Sequence, residues 1–209
     1  MNIPTRTSSA ATRSYRLGAR ADSMQATRDR ILDAVGDALM TRWYDEVTFA
    51  ELARAAGVSS PTLTNHFGDK HGLISAYARE RVNHDISELR FTAEPGDIAA
   101  AIRVLLDDYE RTGDMVIRAL ALEHRYPELT EMLTEGRAGH RAWVTHVFGP
   151  YLPARGKART AAVTRLVLCT DVYAWQLLRR DMKHSRAATQ DHLTTMATAI
   201  AMNSKEENA

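Results

Sequence analysis

Within eight residues the chain places Ser59, Ser60, Thr62, Thr64, Asn65 and His66, a run of hydroxyls, one amide and one imidazole. Short polar groups of this kind reach base edges and phosphates when the helix carrying them lies in a major groove, Asn matching the paired donor and acceptor of an adenine edge. To do so they must share one outward face of a rigidly held helix. The flanking residues supply that support. Thr48 followed by Glu51 is a capping box, and Val47 with Leu52 makes a hydrophobic staple, so a short helix is predicted from Thr48 to about Ala56. Gly57 supplies the left-handed conformation that ends it, and Ser60 with Pro61 reads as the N-cap and first residue of the next helix. Ala53 is small where the two helices cross, and Leu52, Val58, Leu63 and Phe67 face inward. The outward face is then Ser59, Thr62, Thr64, Asn65 and His66. Such a unit is a helix-turn-helix; a plain helical hairpin is the weaker alternative.

From Thr27 to about Ala78 the order TRDRILDA, TFAELARAAGVSSPTLTNHF and GDKHGLISA resembles the DNA-binding domain of the TetR (tetracycline-repressor) family, over about a quarter of the chain. Two positions depart from the family pattern: Thr64 stands where the family usually has Tyr, and Trp43 where it often has Gly. The resemblance implies a homodimeric regulator of double-stranded DNA operators with an unknown small-molecule effector. It also implies that Lys70, in the first turn of the fourth helix, contacts a phosphate, as backbone N–H groups at a helix start favour. Thr27, the expected cap of the first helix, and Arg28 could touch the DNA backbone. The DNA-binding set is therefore Thr27, Thr48, Ser59, Ser60, Thr62, Thr64, Asn65, His66 and Lys70.

Composition fits this reading. Apolar residues make up 44% of the chain and charged ones 25%, an ordinary globular balance. No run approaches the ~18 apolar residues of a membrane span, so no membrane partner is expected. Cys169, the single cysteine, cannot form an internal disulfide, in keeping with a reducing bacterial cytoplasm, here at the nucleoid. Net charge is +1, unevenly spread. Residues 1–21 carry Arg6, Arg13, Arg16 and Arg20 without an acid, whereas residues 22–91 hold eight Lys or Arg against eleven Asp or Glu, a balance of −3. Positive potential near the recognition helix must then come from Arg54, Lys70, His71 and the arm. The arm's composition also resembles a transit peptide, a reading that a bacterial type of regulator disfavours, and Met24 offers an alternative start.

The expected fold is all-α, with about nine helices in three parts. Residues 1–22 form a disordered basic arm, residues 23–91 the helix-turn-helix domain with its linking helix from Lys70 to Phe91, and residues 95–203 a helical regulatory and dimerisation domain. The break at Glu94-Pro95-Gly96-Asp97 marks the boundary. Beyond it, one helix is predicted around Ile98–Tyr109 and a second after Gly113 with Asp114 as cap. A third begins at Pro127 and loosens around Gly136–Gly139, PYLPARGK is a loop, a long helix covers 158–182, and Ser185 caps the last. The family resemblance implies a homodimer through helices 158–182 and 186–202. The apolar faces and small residues of these helices permit one; a wholly intramolecular bundle is the alternative.

A pocket could be lined by Met115, Arg118, Leu122, Trp143, His146, Val147, Tyr173 and Gln176, which offer aromatics, a thioether and sparse polar groups. The same residues also suit a plain core. No catalytic motif or paired metal-ligand spacing occurs, so no enzyme, metal or cofactor is expected, and His124, His140 and His146 read as surface or core histidines. The chain thus reads as a ligand-responsive repressor. The alternatives are a constitutive or protein-partner-regulated helix-turn-helix factor and, more remotely, a pocket-bearing enzyme or carrier with a vestigial head.

Overall fold

The computed structural model describes the backbone of residues 9–82 and 89–206, with side chains from Asp22 to Lys205 in those ranges. Every regular element among the described residues is helical. Helix α1 spans Ser9–Thr41, and a short 3₁₀ turn, Tyr44–Glu46, follows; α2 is Phe49–Ala55, α3 Ser60–Phe67 and α4 Lys70–Tyr77. α4 continues as a π-helical turn, Ala78–Val82; residues 83–88 of the expected linking helix lie outside the described residues. The body comprises α5 (Ile98–Leu122), α6 (Pro127–Val147), α7 (Gly156–Thr170), α8 (Val172–Gln176) with a π turn Leu177–Asp181, and α9 (Arg186–Glu206).

The first helix begins well upstream of its expected start. Residues 9–22, expected to be disordered, are helical in backbone, while residues 1–8 lie outside the described residues. Extending a formed helix adds one hydrogen bond per residue without a new nucleus, and this Ala- and Arg-containing stretch has no proline to stop it. Thr27 consequently sits inside α1 and caps nothing; its hydroxyl donates to the Ser23 carbonyl at 2.9 Å.

Three other expectations are overturned in the body. Gly113 does not end a helix: α5 runs through it, because the indole of Trp175 packs onto the bare Cα, and a Cβ there would lie 2.5 Å from the ring. Asp114, expected as a cap, pairs instead with Arg180 at 2.9 Å. Conversely, the predicted helix 158–182 is broken at Asp171, whose backbone is extended and whose carboxylate accepts from Tyr173 N at 3.0 Å, so that it caps α8. Around Gly136–Gly139 α6 is continuous. The loop PYLPARGK contains a 3₁₀ turn, Gly149–Tyr151. Ser185 caps α9 as expected, its hydroxyl accepting from Ala188 N at 3.1 Å.

Two apolar clusters hold the molecule together. One joins Ile31, Leu32, Val35, Leu52, Leu63, Leu73 and Ile74 of the head to Met115, Leu122, Leu129 and Met132 of the body. The other lies wholly in the body, around Trp143, Phe148, Leu166, Trp175, Leu193 and Ala197. The C-terminal half of α5 and the N-terminal half of α6 thus pack with the head.

Candidate nucleic-acid interface

The helix-turn-helix forms by the expected local signals, displaced by one residue at one end. Thr48 caps α2: its hydroxyl accepts from Glu51 N at 3.2 Å and the Glu51 carboxylate accepts from Thr48 N at 2.9 Å. These bonds hold the Glu51 carboxyl below its ordinary pKa. Gly57 (φ +67°) and Gly68 (φ +77°) end α2 and α3 in the left-handed region that glycine tolerates. The N-cap of α3 is Ser59 rather than Ser60, with Ser59 Oγ accepting from Thr62 N at 3.2 Å and Pro61 in the second helical position. Ser60 is exposed in the first turn.

Leu63 is fully buried beneath α3, and Val58 and Phe67 pack against the same cluster. Ser59, Ser60, Thr64 and Asn65 are exposed, and Thr62 and His66 are half-buried. The polar face therefore stands clear of the core. Thr62 and Ser59 share a hydroxyl hydrogen bond of 2.8 Å, a local bond that can change partners.

Of the basic groups expected near this face, Lys70, His71 and Arg28 are engaged elsewhere. Lys70 Nζ donates to the Tyr44 carbonyl at 2.6 Å and stands 3.8 Å from the centre of the Tyr44 ring. Burial there lowers the Lys70 pKa from its ordinary value. His71 faces Glu128 (3.3 Å) and Glu131 (3.6 Å) of α6. Arg28 forms a two-point pair with Glu80, at 2.9 and 2.6 Å, and covers the Phe67 ring. Arg54 remains exposed. Each diverted cation meets a group on another element, a placement that sequence distance concealed. Gly72, not singled out from sequence, is also required, since a Cβ there would lie 2.2 Å from the Phe67 carbonyl oxygen.

The eight pocket candidates are not brought together. Met115 and Arg118 line a small cavity between head and body, with Leu39, Tyr44, Tyr77, Leu129 and Met132 among its walls, and Leu122 belongs to the surrounding cluster. Trp143 and Val147 are buried in the body cluster instead. His146 is exposed, its ring 5.0 Å from that of Phe91. Tyr173 is exposed and Gln176 half-buried on α8. Helical periodicity indicated their faces; the break at Asp171 changed what those faces meet.

Sequence reading missed a buried polar network around Arg90. Arg90 donates to Asp108 Oδ2 from Nε and Nη2, at 2.9 and 2.7 Å. Its Nη1 donates to His140 Nδ1 at 3.0 Å, and His140 Nε2 donates to Thr170 Oγ1 at 3.0 Å. Thr170 Oγ1 donates in turn to Leu166 O, which fixes the Nε2–H tautomer. Burial, then the charge of Arg90, pushes His140 down to about 3. Tyr109, whose hydroxyl donates to Thr170 O, is pushed up to about 12 by burial. His140 is thus a neutral, hydrogen-bonded core histidine. Among the described residues no three His, Cys, Asp or Glu side chains converge to hold a metal.

Residues 31–77, which span the buried side of α1 through α4, match the family model described as "Bacterial regulatory proteins, tetR family". The match assigns this segment, the helix-turn-helix head, to the tetR family. It is 28% identical over 116 residues to the HTH-type transcriptional regulator AlkX of Mycobacterium tuberculosis, covering 53% of this chain and 54% of that one. To the HTH-type transcriptional repressor AcnR of Corynebacterium glutamicum it is 26% identical over 128 residues, 61% and 62% of the two chains. The matches therefore span somewhat over half the length of these relatives. The fold is that of a solved TetR-family member from Streptomyces coelicolor (TM-score 0.62, 18% identity, 81% of this chain and 97% of that one). At that identity the likeness speaks for the fold alone. The chain thus pairs a tetR-family head with a helical body, and among its described residues no helix is long and apolar enough to cross a membrane.

Proposed function

We propose that the protein is a homodimeric transcriptional repressor of the bacterial cytoplasm, which binds a palindromic DNA operator through α3 and is released by a small molecule. The observation that carries this reading is the exposed polar face of α3, capped at Ser59 and pinned from behind by the buried Leu63. Thr62, Asn65 and His66 read base edges, while Thr48, Ser59, Ser60, Thr64 and Lys70 position the helix. Thr27 and Arg28 are turned towards their own helix and α4, which leaves them a secondary part. A relative named as a repressor supports the sign of control.

Large apolar side chains stand exposed along α7 to α9: Leu168 at 73%, Tyr173 at 56%, Leu177 at 52% and Met196 at 41%. A second copy of this chain covers them, and the two-fold axis spaces two recognition helices about one DNA turn, ~10 bp, or somewhat more apart. Met196→Asp is the probe of that interface, because Leu193 is 1% exposed and belongs to the chain's own core. The variant should sediment as a folded monomer with lost operator affinity; a dimer would place the interface elsewhere.

Binding selection from random DNA tests the function directly and should return a palindrome. On that site Asn65→Ala should lose roughly 1–3 kcal/mol at one base pair and relax the preference there. A uniform loss over all sequences would make Asn65 a backbone contact.

A further inference from the structure

Several arginines of this chain are paired with a carboxylate: Arg90 with Asp108, Arg28 with Glu80, Arg179 with Glu110 and Arg137 with Glu123. Arg118 differs. Among the described residues its hydrogen bonds go from Nη2 to two backbone carbonyls, Leu39 O at 2.9 Å and Met40 O at 2.7 Å, in the last turn of α1. Its Nε is buried without a hydrogen-bond partner. A guanidinium in apolar surroundings that has an unmet donor and only dipoles opposite it lacks a counter-charge, and buried polar groups in that condition call for one.

Arg118 lines the cavity between head and body, whose other walls are mostly apolar, Leu39, Met115, Leu129 and Met132 among them. Its volume is ≈ 20 Å³, room for little more than one water. We infer that this seam is an effector site for a small apolar monocarboxylic acid, whose carboxylate pairs with Arg118 and whose tail displaces the thioethers of Met115 and Met132. The inference rests on the ligand-responsive reading above and names the chemistry of the ligand. A planar carboxylate matches the guanidinium edge and brings one charge, whereas a phosphate would bring a larger, more strongly hydrated group against apolar walls. Methionine, unbranched and flexible, is suited to yielding that space.

Occupation would act on the head at two points. Arg118 supplies the cation at the C-terminal end of α1, and a carboxylate competing for it weakens that hold on the Leu39 and Met40 carbonyls. Tyr44, another cavity wall, carries Lys70 on its carbonyl and ring and donates its hydroxyl to Glu128 of α6. A shift of Tyr44 therefore moves the one lysine in the first turn of α4. The route passes across the seam between α1, α5 and α6.

The test uses the full chain and three acids, acetate, hexanoate and benzoate, each against its uncharged amide, by calorimetric titration at neutral pH. At least one of hexanoate and benzoate should bind tenfold or more tightly than its amide, and Arg118→Gln, which keeps a donor of similar reach, should erase that preference. The acid–amide comparison needs no variant, so misfolding of Arg118→Gln cannot obscure it. No binding by any acid, equal binding by acid and amide, or a preference that survives in folded Arg118→Gln would overturn the site. Operator affinity with and without the bound acid is a separate reading and should fall by tenfold or more. Binding without that fall overturns the effector role. Release of the operator by an uncharged compound while no acid binds overturns the site and leaves the repressor reading standing; failure to select any DNA overturns the repressor reading alone.

Discussion

Head and body use the same polar residue types with opposite wiring. On α3 the hydroxyls, amide and imidazole face outward and bond only to their near neighbours, as Ser59 does to Thr62. Such bonds break cheaply, which leaves the groups available to a partner. In the body Arg90, Asp108, His140 and Thr170 face inward and satisfy one another across α5, α6 and α7. Their bonds hold Arg90 against α5 and α6. The difference means that polar substitutions should sort cleanly: on α3 they change binding and leave stability alone, and in the network they do the reverse.

The sharpest way to break that contrast is Asp108→Ala. Asp108 is fully buried, and its removal leaves the Arg90 guanidinium without its two-point partner. Breaking one side of a buried ion pair costs about 3–5 kcal/mol, against less than ~0.5 kcal/mol expected for Asn65→Ala on the exposed face. Urea unfolding of both variants measures the two losses. A loss below ~1 kcal/mol for Asp108→Ala would mean that water reaches Arg90 and that the network is not a closed one.

The same contrast explains what the sequence made legible. In the head every boundary is set within a few residues: Thr48 with Glu51, Gly57, Ser59 with Thr62, and Gly68 before Asp69 all act locally and can be read off in order. In the body the deciding contacts are remote. Gly113 followed by Asp114 has the local look of a helix break, and only the Trp175 ring on the other side of the bundle explains why the helix continues. Asp171 has the type of a cap but stands in an apolar stretch that periodicity reads as one long helix. Arg90 carried a signal, a lone arginine between apolar Leu89 and Phe91, yet nothing local pointed to Asp108 or His140. Lys70 and His71 were placed correctly at the start of α4, while their partners Tyr44, Glu128 and Glu131 could not be inferred from spacing.

A second prediction sharpens the comparison through pH. His140 titrates near its ordinary 6.5 when the chain is unfolded and about 3 when folded. Below pH 6.5 the unfolded chain therefore takes up a proton that the folded one refuses. The stability tied to His140 is full above pH 6.5 and is lost as pH falls towards 3, with a slope approaching ~1.4 kcal/mol per pH unit. His140→Gln can still accept from Arg90 and donate to Thr170 but cannot titrate. Urea unfolding between about pH 6 and pH 5 should give a slope lower by ~1 kcal/mol per pH unit in this variant. Equal slopes would show that His140 is charged in the folded protein and that the network rests on other bonds.

The smallest expected effect falls on Ser59, the one residue that belongs to both sides of the contrast. Its hydroxyl caps α3 by accepting from Thr62 N, and its exposed edge faces where DNA would lie. Ser59→Ala should cost about 1 kcal/mol of stability, the usual loss for an N-cap. Ser59→Asp keeps an acceptor for the Thr62 N–H and adds a negative charge that favours a helix start, so its stability should match or slightly exceed that of the parent. The same charge faces the phosphates of a bound duplex and should weaken operator binding at least as much as Ser59→Ala does, most strongly at low salt. Thermal unfolding and operator titration at two salt concentrations separate the two roles. If Ser59→Asp bound operator as well as the parent at low salt, the start of α3 would lie away from the phosphate backbone, and the docking would have to rest on the far end of the helix, around Asn65 and His66.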